Sequence, residues 1–271
     1  MVDQEKLKSM LVAMLKWFHL LCEENGLRYY ALGGTMLGAA RHEGFIPWDD
    51  DIDVGMPRED YDKLIKILSD KSNDRYVLET PDTPSKDYYY PFSKLYDTQT
   101  TLVENTKYKI KRGIYIDIFP LDGIGNSREE SEANYKSVYN TYNLLLTKVT
   151  GVRKGRSLYK NLAVMAFRLV PISSKKLLKK LTAKCSRYSW DDCEWIGNLV
   201  GAWRFKEVMP KAYMGTPKKY KFEDTVIYGS EDADAYLTNL YGDWRKLPPE
   251  EKRVTHHDYI ECDLNRSYLR D

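Results

Sequence analysis

"WDDDIDVGMP", residues 48–57, sets four carboxylates, Asp49, Asp50, Asp51 and Asp53, beside an alternating apolar set. Ile52, Val54 and Met56 fall on one parity and Asp51 and Asp53 on the other, as a strand half-buried in a core requires. Side by side, like charges destabilise one another, so a strand that aims two carboxylates the same way calls for a cation. A bare run of three aspartates reads as an exposed loop, but the alternation predicts a strand. A calcium loop fails as well. Asp49, Asp51 and Asp53 match its first three ligand positions, yet Val54 and Asp60 stand where Gly and Glu are needed, with Pro57 in between.

Upstream, Leu7, Met10, Leu11, Met14, Leu15, Phe18, Leu21 and Cys22 recur at helical spacing, and Asn25-Gly26 supplies a stop. "LRYYAL" then predicts a short strand, and Gly33-Gly34-Thr35 opens a second helix running to about Arg41. A glycine turn at a helix start offers backbone N–H groups to phosphate oxygens. Downstream, Pro57, Glu59 and Asp60 suit a helix start, followed by the stripe Tyr61, Leu64, Ile65 and Leu68. "GIYIDIFPLDG" repeats the strand pattern, with Ile114, Ile116 and Ile118 on one face and Tyr115, Asp117 and Phe119 on the other. Asp51, Asp53 and Asp117 thereby become three strand-borne carboxylates converging on one site. Hard oxygen ligands of this kind suit Mg2+, and a pair of such ions clamps the two oxygens of an in-line phosphoryl displacement; Mn2+ would serve the same ligands.

At 271 residues the chain has room for one catalytic-sized core with an insertion. Its apolar share of 42% excludes a disordered protein, and no apolar run reaches the roughly 18 residues of a membrane span. The N-terminal stretch is charged and lacks a small-residue cleavage site, so a structural helix and a cytoplasmic location are expected. Cys22, Cys185, Cys193 and Cys262 are far apart. Zinc held by the last three with His256 or His257 lacks the usual paired spacing. The net charge of +2 conceals an asymmetry: residues 151–190 hold eleven Lys or Arg and no acid, leaving 31 bases against 40 acids elsewhere.

"GGT" at 33–35, "GAARHEGFIPWDDDIDVGMPREDYDKL" after it, "IYIDIFPLDG" and the C-terminal "YLTNLYGDWRKLPP" together resemble the LicD family of phosphocholine transferases, a branch of the nucleotidyltransferase-fold superfamily. The similarity covers residues 27–125 well and 222–257 in part; the basic segment lies outside it. What the resemblance implies is an α+β fold, a nucleotidyltransferase-type mixed β-sheet flanked by helices. It divides the chain into a catalytic core (1–126), a mainly helical, basic insertion (127–221) and a C-terminal segment returning to the core (222–271). It also implies Gly33, Gly34 and Thr35 at the phosphates, Asp51, Asp53 and Asp117 as catalytic metal ligands, and Asp49 and Asp50 behind them or holding the turn. The implied reaction moves phosphocholine from CDP-choline to a sugar hydroxyl of a lipid-linked or polymeric glycan, such as a teichoic acid or lipopolysaccharide. CMP leaves, and Asp117 accepts the hydroxyl proton.

Arg41, His42, Lys94 and Arg112 are candidate phosphate contacts, with ordinary surface charge as the other reading. Choline's quaternary ammonium donates no hydrogen bond and needs ring faces, for which Trp48 and one of Tyr88, Tyr89 and Tyr90, represented by Tyr89, are the candidates. Two enzymatic alternatives stay open, a transferase for another CDP-alcohol and a nucleotidyltransferase adding NMP to a small acceptor. A non-catalytic choline- or glycan-binding module would have no need of three repelling carboxylates. The basic stretch 151–190 fits peripheral contact with the anionic inner face of the plasma membrane, and equally a solvated helical insertion. Nucleic acid is not an expected partner, because no recognition motif accompanies the charge.

Overall fold

A computed structural model describes residues 2–70, 75–83, 88–105, 109–149, 157–255 and 259–270, with side chains at all of these except 70, 158, 160, 163 and 167–169. The chain runs α1 (Gln4–Asn25), β1 (Tyr30–Ala31), α2 (Gly33–His42), β2 (Asp53–Pro57), α3 (Arg58–Asp70), β3 (Tyr76–Glu79), β4 (Ser93–Asp97), β5 (Thr101–Glu104), β6 (Lys111–Arg112) and β7 (Tyr115–Gly125). It continues through α4 (Arg128–Val149), α5 (Leu158–Leu169), α6 (Ser174–Cys185), β8 (Trp195–Gly197), β9 (Val208–Pro210), α7 (Lys211–Met214), β10 (Lys218–Phe222), β11 (Thr225–Gly229), α8 (Ala233–Tyr241) and β12 (Tyr259–Asp263).

The α1 helix starts where Asp3 accepts the Lys6 N–H and stops at Gly26, whose φ of 61° is the left-handed conformation glycine adopts without strain. Its apolar stripe, Leu7 through Cys22, packs into the main core. That core forms around a mixed seven-stranded sheet, ordered β1-β2-β7-β4-β3, with β8 and β9 joined to the far half of β7. The long β7 is the spine. Its first half runs parallel to β2 and antiparallel to β4, and its second half pairs with β8. Ile52, Val54, Met56, Leu95, Ile116 and Ile118 are fully buried, the parity expected from the sequence. The fold is α+β, a curled mixed sheet flanked by helices.

Three local expectations change. Ordered pairing in β2 begins at Asp53, so Asp51 and Ile52 enter from the preceding loop. Ile52 is held there by its carbonyl, which accepts the Asp117 N–H at 3.0 Å. Pro57 ends the strand and the helix starts at Arg58, where missing an N–H costs proline no ladder bond inside the sheet. The stretch 127–221 holds both helices and strands. It supplies α4 and α6, which close a second core over Phe92, Ile124 and Val208, but also β8 and β9 of the main sheet. In the charged tail, β12 pairs with β5 in a separate three-stranded sheet that no sequence pattern announced. His256, His257 and residues 151–156 of the basic segment lie outside the described residues.

Candidate active site

Register decides the site. Asp53 on β2 stands in line with Asp117 on β7, and Asp117 in line with Lys94 on β4, so three charged side chains form one rank across adjacent strands. The Lys94 ammonium lies 2.7 Å from Asp117 Oδ1, with its side chain only 4% exposed. It also lies 3.4 Å from the centroid of the Tyr115 ring and 4.8 Å from that of Tyr90. The Tyr115 and Tyr90 hydroxyls both donate to Glu104, which fixes the two rings around the cation. An ammonium that loses water on burial is compensated by ring faces and a carboxylate together.

Asp53 is held well above the ordinary carboxylate range, first by burial and then by Asp51, Asp117 and Asp49, with Lys94 acting in the opposite sense. One buried ammonium thus leaves a cluster of acids only partly offset. The donor set fits a hard divalent cation on this chemistry. As the side chains stand, no three Asp, Glu, His or Cys groups among the described residues converge on a single ion position. Asp117 is turned to Lys94 instead.

The start of α2 meets this rank. The Thr35 hydroxyl accepts the Asp53 N–H at 2.9 Å, tying the helix to the strand it faces. The Gly33 N–H donates to the Tyr236 hydroxyl at 2.9 Å. A Cβ on Gly34 would lie 2.6 Å from Asp49 Oδ2, so the Asp49 carboxylate occupies the space a side chain would need. Asp49 therefore belongs with Asp53, whereas Asp50 is buried and accepts a hydrogen bond from Thr255 at 2.9 Å, tethering the C-terminal segment. Asp51 lines a small cavity with Tyr115 and Tyr259.

Other sequence candidates are placed apart. Arg41, in the last turn of α2, donates to the Trp244 carbonyl at 2.6 Å and to His42 at 3.0 Å. Arg112 is paired with Glu79 at 2.9 Å, where β6 meets β5. Trp48 lies beneath the Arg253 guanidinium, 5.7 Å away, and Tyr89 stacks on Tyr90 at 4.7 Å. As placed, Arg41 and Arg112 are committed to protein partners. Tyr89 reaches the site through Tyr90 and so sits behind the Lys94 cage.

Sequence reasoning missed Tyr236 and Tyr241. Both come from α8, some two hundred residues after the glycine turn. Tyr241 is held above its ordinary range by burial and then by Asp53 and Asp49, and its hydroxyl lies 3.7 Å from where a Cβ on Gly33 would stand. Glu207 was also missed. Burial pushes its carboxyl up to about 7, against the hydrogen bonds it receives from the Trp203 N–H and Asn198. A helix over roughly 231–241 is legible in the sequence and forms as α8, but nothing in the sequence placed its tyrosines at the glycine turn, and nothing pointed to Glu207.

Clustered carboxylates on adjacent strands of a mixed sheet thus face a helix that starts in glycines. A profile described as LicD/FKTN/FKRP, nucleotidyltransferase domain, matches residues 26–145. The chain is 31% identical over 249 residues to the lipopolysaccharide cholinephosphotransferase LicD of Haemophilus influenzae, covering 90% of this chain and 92% of that protein. It belongs to the LicD family. It is also 55% identical over 38 residues to the human ribitol 5-phosphate transferase FKRP, 14% of this chain and 8% of that one. A 124-residue stretch is 28% identical to the mannosyltransferase regulator 4 of Saccharomyces cerevisiae, 43% of this chain and 10% of the yeast protein.

Proposed function

We propose that this chain transfers phosphocholine from CDP-choline to a sugar hydroxyl of a cell-surface glycan. It is an enzyme of the phosphotransferase class. The observation that carries the finer reading is the rank Asp53, Asp117 and Lys94 in register across three strands, with the glycine start of α2 facing it. In the transfer, the acceptor oxygen bonds to the choline-bearing phosphorus as the bond from that phosphorus to the CMP oxygen breaks. Asp117 takes the hydroxyl proton, and Lys94, released from Asp117, meets the phosphate oxygens. Asp51, Asp53 and Asp117 would hold magnesium. When bound, it would neutralise these carboxylates and the charge gathering on the phosphoryl oxygens.

The glycan class rests on the relative's printed substrate, lipopolysaccharide. The short match to a ribitol 5-phosphate transferase favours a second reading in which another CDP-alcohol is the donor. No described helix is long and apolar enough to cross a membrane. A cytoplasmic enzyme that rests on the inner membrane face through 157–190 would meet a lipid-linked acceptor. Exposed Tyr159, Leu162 and Met165 on α5, followed in sequence by the lysines of α6, support that contact.

The test is CMP release from CDP-choline, CDP-ribitol and CDP-ethanolamine with magnesium, with and without envelope glycans. Glycan-dependent CMP from CDP-choline is expected, abolished in Asp117→Asn while nucleotide affinity is largely kept. Pyrophosphate as product would assign a nucleotidyltransferase instead, and CMP from none of the three donors would remove the reading.

A further inference from the structure

Backbone N–H groups at the start of α2 are the expected phosphate contacts, but one of them is already taken. The Gly33 N–H donates to the Tyr236 hydroxyl at 2.9 Å, so the phenol stands where a phosphate oxygen would have to come. Tyr236 is 3% exposed, and among the described residues nothing accepts its hydroxyl proton. A phenol has one donor beside its acceptor lone pairs, and a buried donor without an acceptor is costly. Having accepted from Gly33, this hydroxyl still has its proton to give.

A second hydroxyl meets the same glycine. That of Tyr241 lies 3.7 Å from where a Cβ on Gly33 would stand, and it has no hydrogen-bond partner among the described residues. Gly33 has a φ of 49°, a left-handed conformation that a side chain would strain, so the position beside the two hydroxyls stays bare. Tyr236, Leu237 and Leu240 form the buried stripe of α8, and Tyr241 is half-buried at its margin. Five residues separate the two tyrosines, about 140° around a helix of 3.6 residues per turn, yet both hydroxyls arrive at one residue.

The glycine turn also adjoins the carboxylates. The Leu32 N–H donates to the Asp53 carbonyl at 3.0 Å, and the Asp49 carboxylate fills the space beside Gly34. An anion seated among acids needs donors that bring no negative charge of their own. Burial holds both phenols above their ordinary range, with the Gly33 N–H acting in the opposite sense on Tyr236, so both stay protonated and able to donate.

Resting on the CDP-choline reading above, we propose that Tyr236 and Tyr241 bind the donor by giving their hydroxyl protons to its phosphate oxygens. Tyr236 passes on the Gly33 N–H, because an amide that donates to a phenol polarises it and makes it a stronger donor in turn. The phosphate seat is then a pair of phenols brought from α8 to the glycine turn, and not the bare backbone of that turn.

The experiment compares CMP with cytidine, which lacks the phosphate, by isothermal titration calorimetry of the full chain with magnesium, cytidine being read by displacement of CMP. A hydrogen bond to a charged group changes affinity about ten- to a hundredfold. Tyr236→Phe and Tyr241→Phe should each weaken CMP by at least about tenfold and leave cytidine unchanged. An equal loss for cytidine makes the tyrosines packing residues only, and unchanged CMP affinity in either variant means that its hydroxyl meets no phosphate. Both results overturn the seat while leaving the donor reading in place. If Tyr236→Phe fails to fold, Tyr241→Phe, whose hydroxyl holds no described group, decides alone. A wild type that binds neither CMP nor CDP-choline removes the donor reading itself, and the seat with it.

Discussion

Replacing Lys94 by Met keeps an apolar stem of similar length and removes the positive charge at the end of the rank. Its ammonium sits 2.7 Å from Asp117, with the two side chains 4% and 16% exposed. Removing one partner of a pair buried in this way costs roughly 3–5 kcal/mol, because the other charge is left uncompensated. Here the cost falls at the upper end, since Asp49, Asp51 and Asp53 crowd the same place and Lys94 is the cation that opposes the rise at Asp53. The sign with pH follows. A carboxyl held above its ordinary range contributes stability that is complete below about pH 4 and is lost as pH rises through its folded value. The Lys94→Met deficit should therefore be small in acid and largest near pH 8.

The assay is urea denaturation at pH 5 and pH 8, in chelator and in magnesium, of Lys94→Met, Asp117→Asn and the double variant. In the double variant the rank has lost one charge of each sign, so part of the stability should return, with a coupling of about 2 kcal/mol. Magnesium should stabilise Lys94→Met more than the wild type, by supplying the missing positive charge. If Lys94→Met lies within about 1 kcal/mol of the wild type at pH 8 in chelator, the rank is not electrostatically strained and the reasoning is wrong.

Glu207, raised from 4.5 to about 7, contributes stability that is present below its unfolded value and lost as pH rises through the folded one. Between pH 5 and pH 8, urea denaturation should show the wild type losing roughly 2–3 kcal/mol more than Glu207→Gln. Gly34→Ala meets only the tip of the Asp49 side chain, so it should cost less than about 1 kcal/mol of stability while lowering CMP affinity, read by calorimetry. Gly38→Ala, whose Cβ would strike the Gly44 carbonyl, should instead destabilise the fold by about 1–3 kcal/mol. Arg58 holds Asp122 through two 2.8 Å bonds at the base of α3, away from the rank. Arg58→Met should lower the melting temperature without changing nucleotide affinity.

Parity made much of this protein legible. Alternation of Ile52, Val54 and Met56, and of Ile114, Ile116 and Ile118, identified which residues face the core and which carboxylates face away, because a strand repeats every second residue whatever it pairs with. The glycine turn, the α1 stripe and the family motifs were equally local, and so were readable. Which of the four aspartates share a place was not. Asp49 and Asp51 approach from a loop, where no period constrains direction, and Asp50 is drawn off by Thr255 from the far end of the chain. The basic residues divide in the same way. Sequence gives Lys94, Arg41 and Arg112 the same standing, but strand register sends Lys94 to Asp117, while helix position and a neighbouring sheet send the others to Trp244 and Glu79. Pairing partners lie anywhere along the chain, so register is a tertiary property. The same holds for Tyr236 and Tyr241, which meet the glycine turn only because α8 packs there. The amino-acid sequence determined the strands, their buried faces and the chemistry available, and the tertiary structure decided which charges meet and which rings surround them.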